Sequence, residues 1–424
     1  MQTSDVKLYP QVFLAGQRQK LNFEISCADI DPDLLAVRIV PMEQETIPHT
    51  DFHIHEVYRY PMVKLENQGN GLFTTDYDFT GEQRYSVTLY YNEKPVAWLF
   101  VYSVEEDLSK LNCYKGDTHL HTNCSDGEGT PYEVVCAYRA IGCDFIVITD
   151  HHKYWPSIQA RDEVSAVTKE FTVLPGEEIH NMNMGYFHLV NIGASKSINE
   201  IIETDDAYVQ AQVDKILKER DLSGMSCPRR VAYRIFVANE IRKHGGVAVL
   251  PHPFWNIGEY QTSPEEMMYH FRNNDYDVLE VLASCDNEDN GSDLQELLRA
   301  ELLYEGCKVP VCGASDAHQA LTRRRASELF GIQFTLVFAK SPEEIPEALK
   351  DERGVAVRKR EDRFYHTVGR YRYAKYARFL MREFYPEYIK LTEVHSSAMA
   401  AKDTKAIKDA EAAIKEFKTK FFAF

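Results

Sequence analysis

Residues 1 to about 110 carry short alternations of apolar and polar positions, rich in Val, Tyr and Phe and broken by turn signals. Runs at residues 21–26, 35–40, 53–60 and 85–91 read as strands. Asn92-Glu93-Lys94-Pro95 reads as a turn into a further strand at 96–104. The pattern predicts a β-rich, sandwich-like domain over 1–110.

From residue 111 the pattern becomes strand, loop, helix, strand. Thr130 can cap a helix with Pro131 first and Glu133 three residues on, and Gly142 stands where that helix would stop. The apolar run Phe145-Ile146-Val147-Ile148 follows, as a strand buried on both faces requires. A helix around 231–243 stops at Gly245-Gly246 and feeds 247–250. Ser292-x-x-Gln295 opens another, which stops near Gly306 before 309–312. Repetition of this unit over 111–345 predicts a parallel sheet, closed or open. In 346–424, Tyr373, Tyr376 and Leu380, then Ile407, Ala410, Ile414, Phe417 and Phe421, recur at three- and four-residue steps and predict a helical region that packs.

Composition narrows the class. Hydrophobic residues make up 44% and charged residues 27% of the 424, as in soluble globular proteins, and no run of 18 apolar residues occurs. No basic, apolar leader opens the chain, so a cytoplasmic protein with no membrane role is expected. Nine dispersed cysteines without a C-x-x-C pair fit a reducing compartment. The net charge of −17 argues against a nucleic-acid partner. It is uneven: residues 351–424 hold 17 Lys and Arg against 11 Asp and Glu, so the first 350 carry −23.

The chemistry lies at predicted strand ends. His119-Leu120-His121 follows the first strand of the second region, with Asp126 close behind. Asp150-His151-His152 and Glu177-Glu178 end the next two, and His188 lies in the following apolar run. His252 follows 247–250, and Asp316 and His318 follow 309–312. In a β/α barrel such ends converge on one rim, which a polynuclear metal site requires. Imidazole with carboxylate suits Zn, Mn or Fe. With 15 histidines in 424 residues a lone H-x-H triplet arises readily by chance, and His53-Ile54-His55, without strand-end companions, is read as structural or surface.

The ordered motifs His119-Leu120-His121-Thr122…Ser125-Asp126-Gly127, Ile148-Thr149-Asp150-His151, Pro175-Gly176-Glu177-Glu178, His252-Pro253 and Ser315-Asp316-Ala317-His318 resemble the PHP superfamily, named for polymerase and histidinol phosphatase members. The resemblance covers 113 to about 320. It implies a distorted (β/α)7 barrel holding two to three divalent ions. One ion would take His119, His121, Glu178 and Asp316, and a second would share Glu178 and take His188 and His252. The third would take Asp126, His151 and His318. Among these, Asp126, Glu178 and His318 are the expected catalytic residues. Glu177 is a possible alternate ligand, Asp150 a partner that orients a ligand, and His152, His180 and Glu280 are undecided neighbours. Arg323, Arg324, Arg325 and Lys153, with Arg229 and Arg230 behind them, are candidates for holding a phosphate.

Metal-bound water near pKa ~7 supplies a hydroxide nucleophile, so the leading expectation is hydrolysis of a small phosphate ester. Lys115-Gly116-Asp117-Thr118-His119 behind a β-rich domain is also similar to the carbaryl-hydrolase-like branch, which keeps carbamate or carboxyl-ester hydrolysis open. A non-catalytic, metal-binding regulatory module is the third reading.

Overall fold

The computed structural model describes residues 2–27, 30–43, 60–180, 187–255, 260–283, 291–321, 330–361 and 364–424. His53, His55, Cys285 and Arg323 to Arg325 lie outside them, as does most of the strand expected at 53–60. Two compact units emerge. The first comprises residues 1–111, 382–387 and 412–424, and the second 112–381 and 388–411. Residues 346–424, expected to form one helical region, thus divide between the two.

In the first unit run β1 Val6–Tyr9, β2 Val12–Leu14, β3 Gln17–Ile25, β4 Leu35–Pro41, β5 Val63–Lys64, β6 Glu66–Gly69, β7 Leu72–Phe79, β8 Gln83–Tyr91 and β9 Lys94–Val104, then helix α1 Glu106–Ser109. They form two sheets, in the orders β1-β3-β7-β6 and β2-β9-β8-β4-β5. Along β4, Leu35, Val37 and Ile39 are buried, the period of two expected of a strand with one covered face. Phe13 stacks on Phe79 at 4.2 Å, with Tyr85 edge-on to Phe79 at 5.1 Å, in one apolar cluster shared by both sheets. Asn92 and Glu93 both take positive φ, which turns β8 tightly into β9.

The second unit contains, in order, β10 Asn112–Asp117, α2 Pro131–Ala140, β11 Phe145–Val147, α3 Trp155–Ser165, β12 Thr172–Leu174, β13 Gly176–His180, β14 His188–Ile192, α4 Ile198–Thr204, α5 Asp206–Glu219, α6 Pro228–Lys243, β15 Val247–Leu250, α7 Pro264–Arg272, β16 Val278–Leu282, α8 Gly291–Tyr304, β17 Val311–Gly313, β18 Gln333–Ala339, α9 Ile345–Lys350, β19 Gly354–Glu361 and β20 Phe364–Gly369. The helices α10 Tyr371–Glu383, α11 Tyr385–Ala400 and α12 Thr404–Phe421 follow. The Thr130–Glu133 capping box is present, and Gly142 takes φ +87° just past α2.

The sheets are mixed rather than wholly parallel. One has the order β12-β11-β10-β18-β19-β20 and the other β13-β14-β15-β16-β17. The strand–helix alternation gives parallel pairs in β10-β11-β12 and β15-β16-β17, while β13-β14-β15 and β10-β18-β19-β20 run antiparallel. Only seven residues join β13 to β14, too few for the crossover a parallel pair needs. Strands β19 and β20 occupy a stretch expected to be helical. Bridges between Leu120 and Ala317 and between His151 and Glu178 link the two sheets at their functional ends, so the strands curl toward one another.

Helix α11 docks on α2 through a buried polar cluster. The Arg139 guanidinium donates to Cys143 O at 2.9 Å, Asp144 Oδ1 at 3.2 Å, Tyr388 Oη at 3.2 Å and His395 Nδ1 at 3.0 Å. Burial, and then the Arg139 charge, push His395 down to about 4, because its Nδ1 must stay an acceptor. An unfolded histidine takes up its proton near 6.5. The folded state therefore binds fewer protons between the two values, and stability falls as pH drops from 6.5 to about 4. The loss is at most about 3 kcal/mol. Thermal melts of wild type and His395→Gln across this window should show the steeper acid fall in wild type. Parallel curves would contradict the assignment.

No helix among the described residues is long and apolar enough to cross a membrane.

Candidate metal centre

The ends of β10, β11, β13, β14, β15 and β17 bring the nine sequence-derived candidates together. Just after β10, His119 and His121 turn their rings to the same side, with their Nε2 atoms 3.3 Å apart, while Leu120 enters the core. Asp117, fully buried, anchors this segment to the one after β17. Its carboxylate accepts His119 N at 3.2 Å, Ser315 N at 3.1 Å and Tyr138 Oη at 3.0 Å, together with the Ser315 hydroxyl. Burial pushes the Asp117 carboxyl up to about 6, against these hydrogen bonds. Backbone bonds from Asp316 N to His119 O and from His121 N to Ala317 O complete the junction.

Gly176 lets β13 approach β11. A Cβ there would collide with the Val147 side chain and press on Ile148 O and Asn191 O. The approach seats Glu178 beside His151. Alternation along β13 then separates the two adjacent glutamates. Glu178 faces the centre, and Glu177 faces the start of α4.

Five imidazole nitrogens surround the Glu178 carboxylate. Oε2 lies 3.2 Å from His119 Nε2, 3.3 Å from His121 Nε2 and 3.1 Å from His151 Nδ1; Oε1 lies 2.6 Å from His188 Nδ1 and 3.4 Å from His252 Nε2. Both oxygens are buried, and neither makes a hydrogen bond of regular geometry among the described residues, nor do His151 Nδ1 and His252 Nδ1. Five donors to one carboxylate would be a large excess of protons, and five lone pairs facing it would repel. A divalent cation among them resolves both difficulties.

The ligand types fall into compact groups with donor atoms within 4.8 Å of one another: His119, His121 and Glu178; Glu178, His188 and His252; His119, His252 and Asp316; and His121, Asp126, His151 and His318. Each could hold a metal ion. Two rings are oriented from behind. His119 Nδ1 meets Glu280 Oε1 at 3.0 Å and His318 Nδ1 meets the Asp316 carbonyl at 2.9 Å, which leaves each Nε2 turned to the centre. His252 and Asp316 take φ +23° and +49°, a left-handed backbone that costs non-glycine residues energy and is retained where the site requires it.

The charges are strongly coupled. Burial would raise Glu178, but His188, His119 and His151 hold it well below the carboxylate range; Asp316 is lowered in the same way by His119 and His121. Burial would lower His121, but Asp316 and Glu178 raise it to about 10, and His119 also lies well above its ordinary value. Metal binding would displace these protons. Asp126 differs in access: its side chain is 54% exposed, and its oxygens lie 3.4 Å from His318 Nε2, 3.7 Å from His151 Nε2 and 3.6 Å from His121 Nδ1.

Solved structures similar to this chain include PHP-like metal-dependent phosphoesterases and an amidohydrolase. One is a two-domain protein from Bacteroides vulgatus containing a PHP-like metal-dependent phosphoesterase assigned by prediction, at 22% identity and TM-score 0.40. That match covers 58% of this chain and 65% of the other, just under two thirds of its length. A proposed metal-dependent phosphoesterase from Bifidobacterium adolescentis matches at 18% identity and TM-score 0.34, and an amidohydrolase from Chromobacterium violaceum at 17% and 0.34. Each of these covers 48% of this chain and 87% of the other. No protein-family model and no curated protein matches.

The remaining candidates separate clearly. Glu177 is committed elsewhere, accepting from Ile198 N at 2.5 Å, Ser197 Oγ at 2.8 Å, Asn199 Nδ2 at 2.9 Å and Asn191 Nδ2 at 3.2 Å. It caps α4, on the opposite face of β13 from Glu178. Asp150 organises the loop bearing Asp126, accepting from Thr122 N at 2.8 Å and the Thr122 and Ser125 hydroxyls at 2.7 and 2.6 Å. Glu280 sits behind the centre, its second oxygen accepting from His252 N at 3.2 Å. Lys153 donates its ammonium to the Cys124 carbonyl, which ties two loops together. Arg229 pairs with Asp214 and Arg230 with Glu266. Arg323, Arg324 and Arg325 lie outside the described residues.

Proposed function

We propose that this chain is a metal-dependent hydrolase with a distorted (β/α)7 barrel of the PHP type, acting on a small phosphate ester. The observation that carries the reading is the single buried carboxylate of Glu178 ringed by five imidazole nitrogens within 3.4 Å. His119, His121, Glu178 and Asp316 would hold one divalent ion, Glu178, His188 and His252 a second, and Asp126, His151 and His318 a third; Zn, Mn or Fe suits these donors. Bound ions would polarise a phosphoryl or carbonyl oxygen and lower the pKa of water.

The protein's own part is orientation and access. Glu280 fixes the tautomer of His119, and Asp117 locks the His119 and Asp316 segments in register. Asp126 and His318 form the solvent-facing edge, where a substrate oxygen would arrive. Carbamate or carboxyl-ester hydrolysis at the same centre is the second reading, favoured by Lys115-Gly116-Asp117-Thr118-His119 behind a β-rich region.

Elemental analysis of protein expressed in metal-replete medium, combined with a panel of phosphate monoesters, diesters, carboxyl esters and carbamates, tests the proposal. Two to three equivalents and turnover of a phosphate ester are expected. Less than one equivalent would refute the metal reading, and turnover of uncharged esters alone would replace the substrate class.

A further inference from the structure

We infer that His180, with His151 and His188, forms an additional all-imidazole position for a borderline divalent ion such as Zn2+ or Co2+, beside the proposed Glu178 centre and resting on that reading. The strand geometry puts it there. His180 stands two residues beyond Glu178 on β13, so their side chains leave the same face of the sheet. The register of β13 and β14 sets His180 directly opposite His188. Their ring centroids lie 4.6 Å apart, and His151 closes the group at 5.5 Å from His180 and 5.2 Å from His188. The three donor nitrogens fall within 4.8 Å of one another. His152 stacks on His180 at 5.3 Å from the outer side.

Its chemistry differs from that of its neighbours. Each of the other four compact groups among the described residues includes Asp126, Glu178 or Asp316, whereas the three members of this one are all imidazoles, and Glu178 touches it only through His151 and His188. Three imidazoles without an anionic oxygen favour Zn2+, Co2+, Ni2+ or Cu2+ over Mn2+ or Mg2+. His151 and His188 also belong to carboxylate-bearing groups, so an additional, weaker ion here would perturb the Glu178 centre without emptying it. Zinc beyond the tight equivalents should therefore inhibit, and manganese should not.

Equilibrium dialysis of wild type and His180→Asn against Zn2+, Co2+ and Mn2+ reads the position directly. Wild type should bind one more, weaker equivalent of Zn2+ or Co2+ than the variant, with no difference in Mn2+. The ratio of rates at excess and stoichiometric Zn2+ should move at least tenfold toward unity in His180→Asn. His180→Cys loaded with Co2+ should gain a sulfur-to-cobalt charge-transfer band absent from wild type, a signal that simple loss of structure would not produce. Equal Zn2+ stoichiometry, an equal Mn2+ increment or no thiolate band would overturn the inference. Loss of all ions from His180→Asn would also overturn it, by making His180 part of the primary centre. A wild type that binds no ion would instead defeat the underlying metal reading.

Discussion

Replacing Glu178 by Gln should drop metal content below one equivalent per chain and lower kcat/KM by about 10³ or more, a loss near 4 kcal/mol of transition-state stabilisation. An amide is nearly the same size as the carboxylate, so packing survives while the charge facing five imidazoles disappears. Their lone pairs then lack the anion that made a shared cation favourable. Elemental analysis and kinetics on one preparation check both effects, with His53→Ala/His55→Ala as a control expected to keep its metal. Retention of two ions and of activity within a few-fold in Glu178→Gln would remove the basis for the proposed centre.

Asp126→Ala should separate the two candidate substrate classes. Asp126 is the half-exposed member of the His121, Asp126, His151 and His318 group, so its ion would stand nearest an arriving substrate. A phosphate dianion entering a rim of carboxylates is repelled unless a cation faces it, while an uncharged ester has no such need. The variant should therefore lose at least roughly tenfold in kcat/KM on a phosphate monoester beyond its loss on a matched carboxyl ester, about 1.4 kcal/mol. Equal losses would favour ester or carbamate chemistry.

Much of this centre is legible in the sequence because strand ends are legible. Uninterrupted apolar runs such as Phe145 to Ile148 mark strands buried on both faces, and the polar residue after each run has one rim to face. Capping by Thr130 and Glu133 was equally plain. The duties of Glu177 and Glu178 were not, because a period of two separates them without saying which face is the core; Asn199 and the start of α4 decide that, more than 20 positions downstream. His180 was ambiguous for the same reason, although its spacing from Glu178 already put the pair on one face. Strands β19 and β20 were missed where Val355 and Val357 give way to Arg358, Lys359 and Arg360, whose charges hide the alternation. Arg230 looked available to an anion until its partner, Glu266, came near through the fold.

The doubling of glutamate at 177 and 178 also bears on how this chain tolerates change. One carboxylate is satisfied by neighbouring amides and a hydroxyl and holds a helix in place; the other is buried among histidines with which its charge is strongly coupled. Selection for folding alone would preserve the first and release the second. Selection for the proposed activity would preserve both, and a strained cluster of buried charge would be the cost of that function.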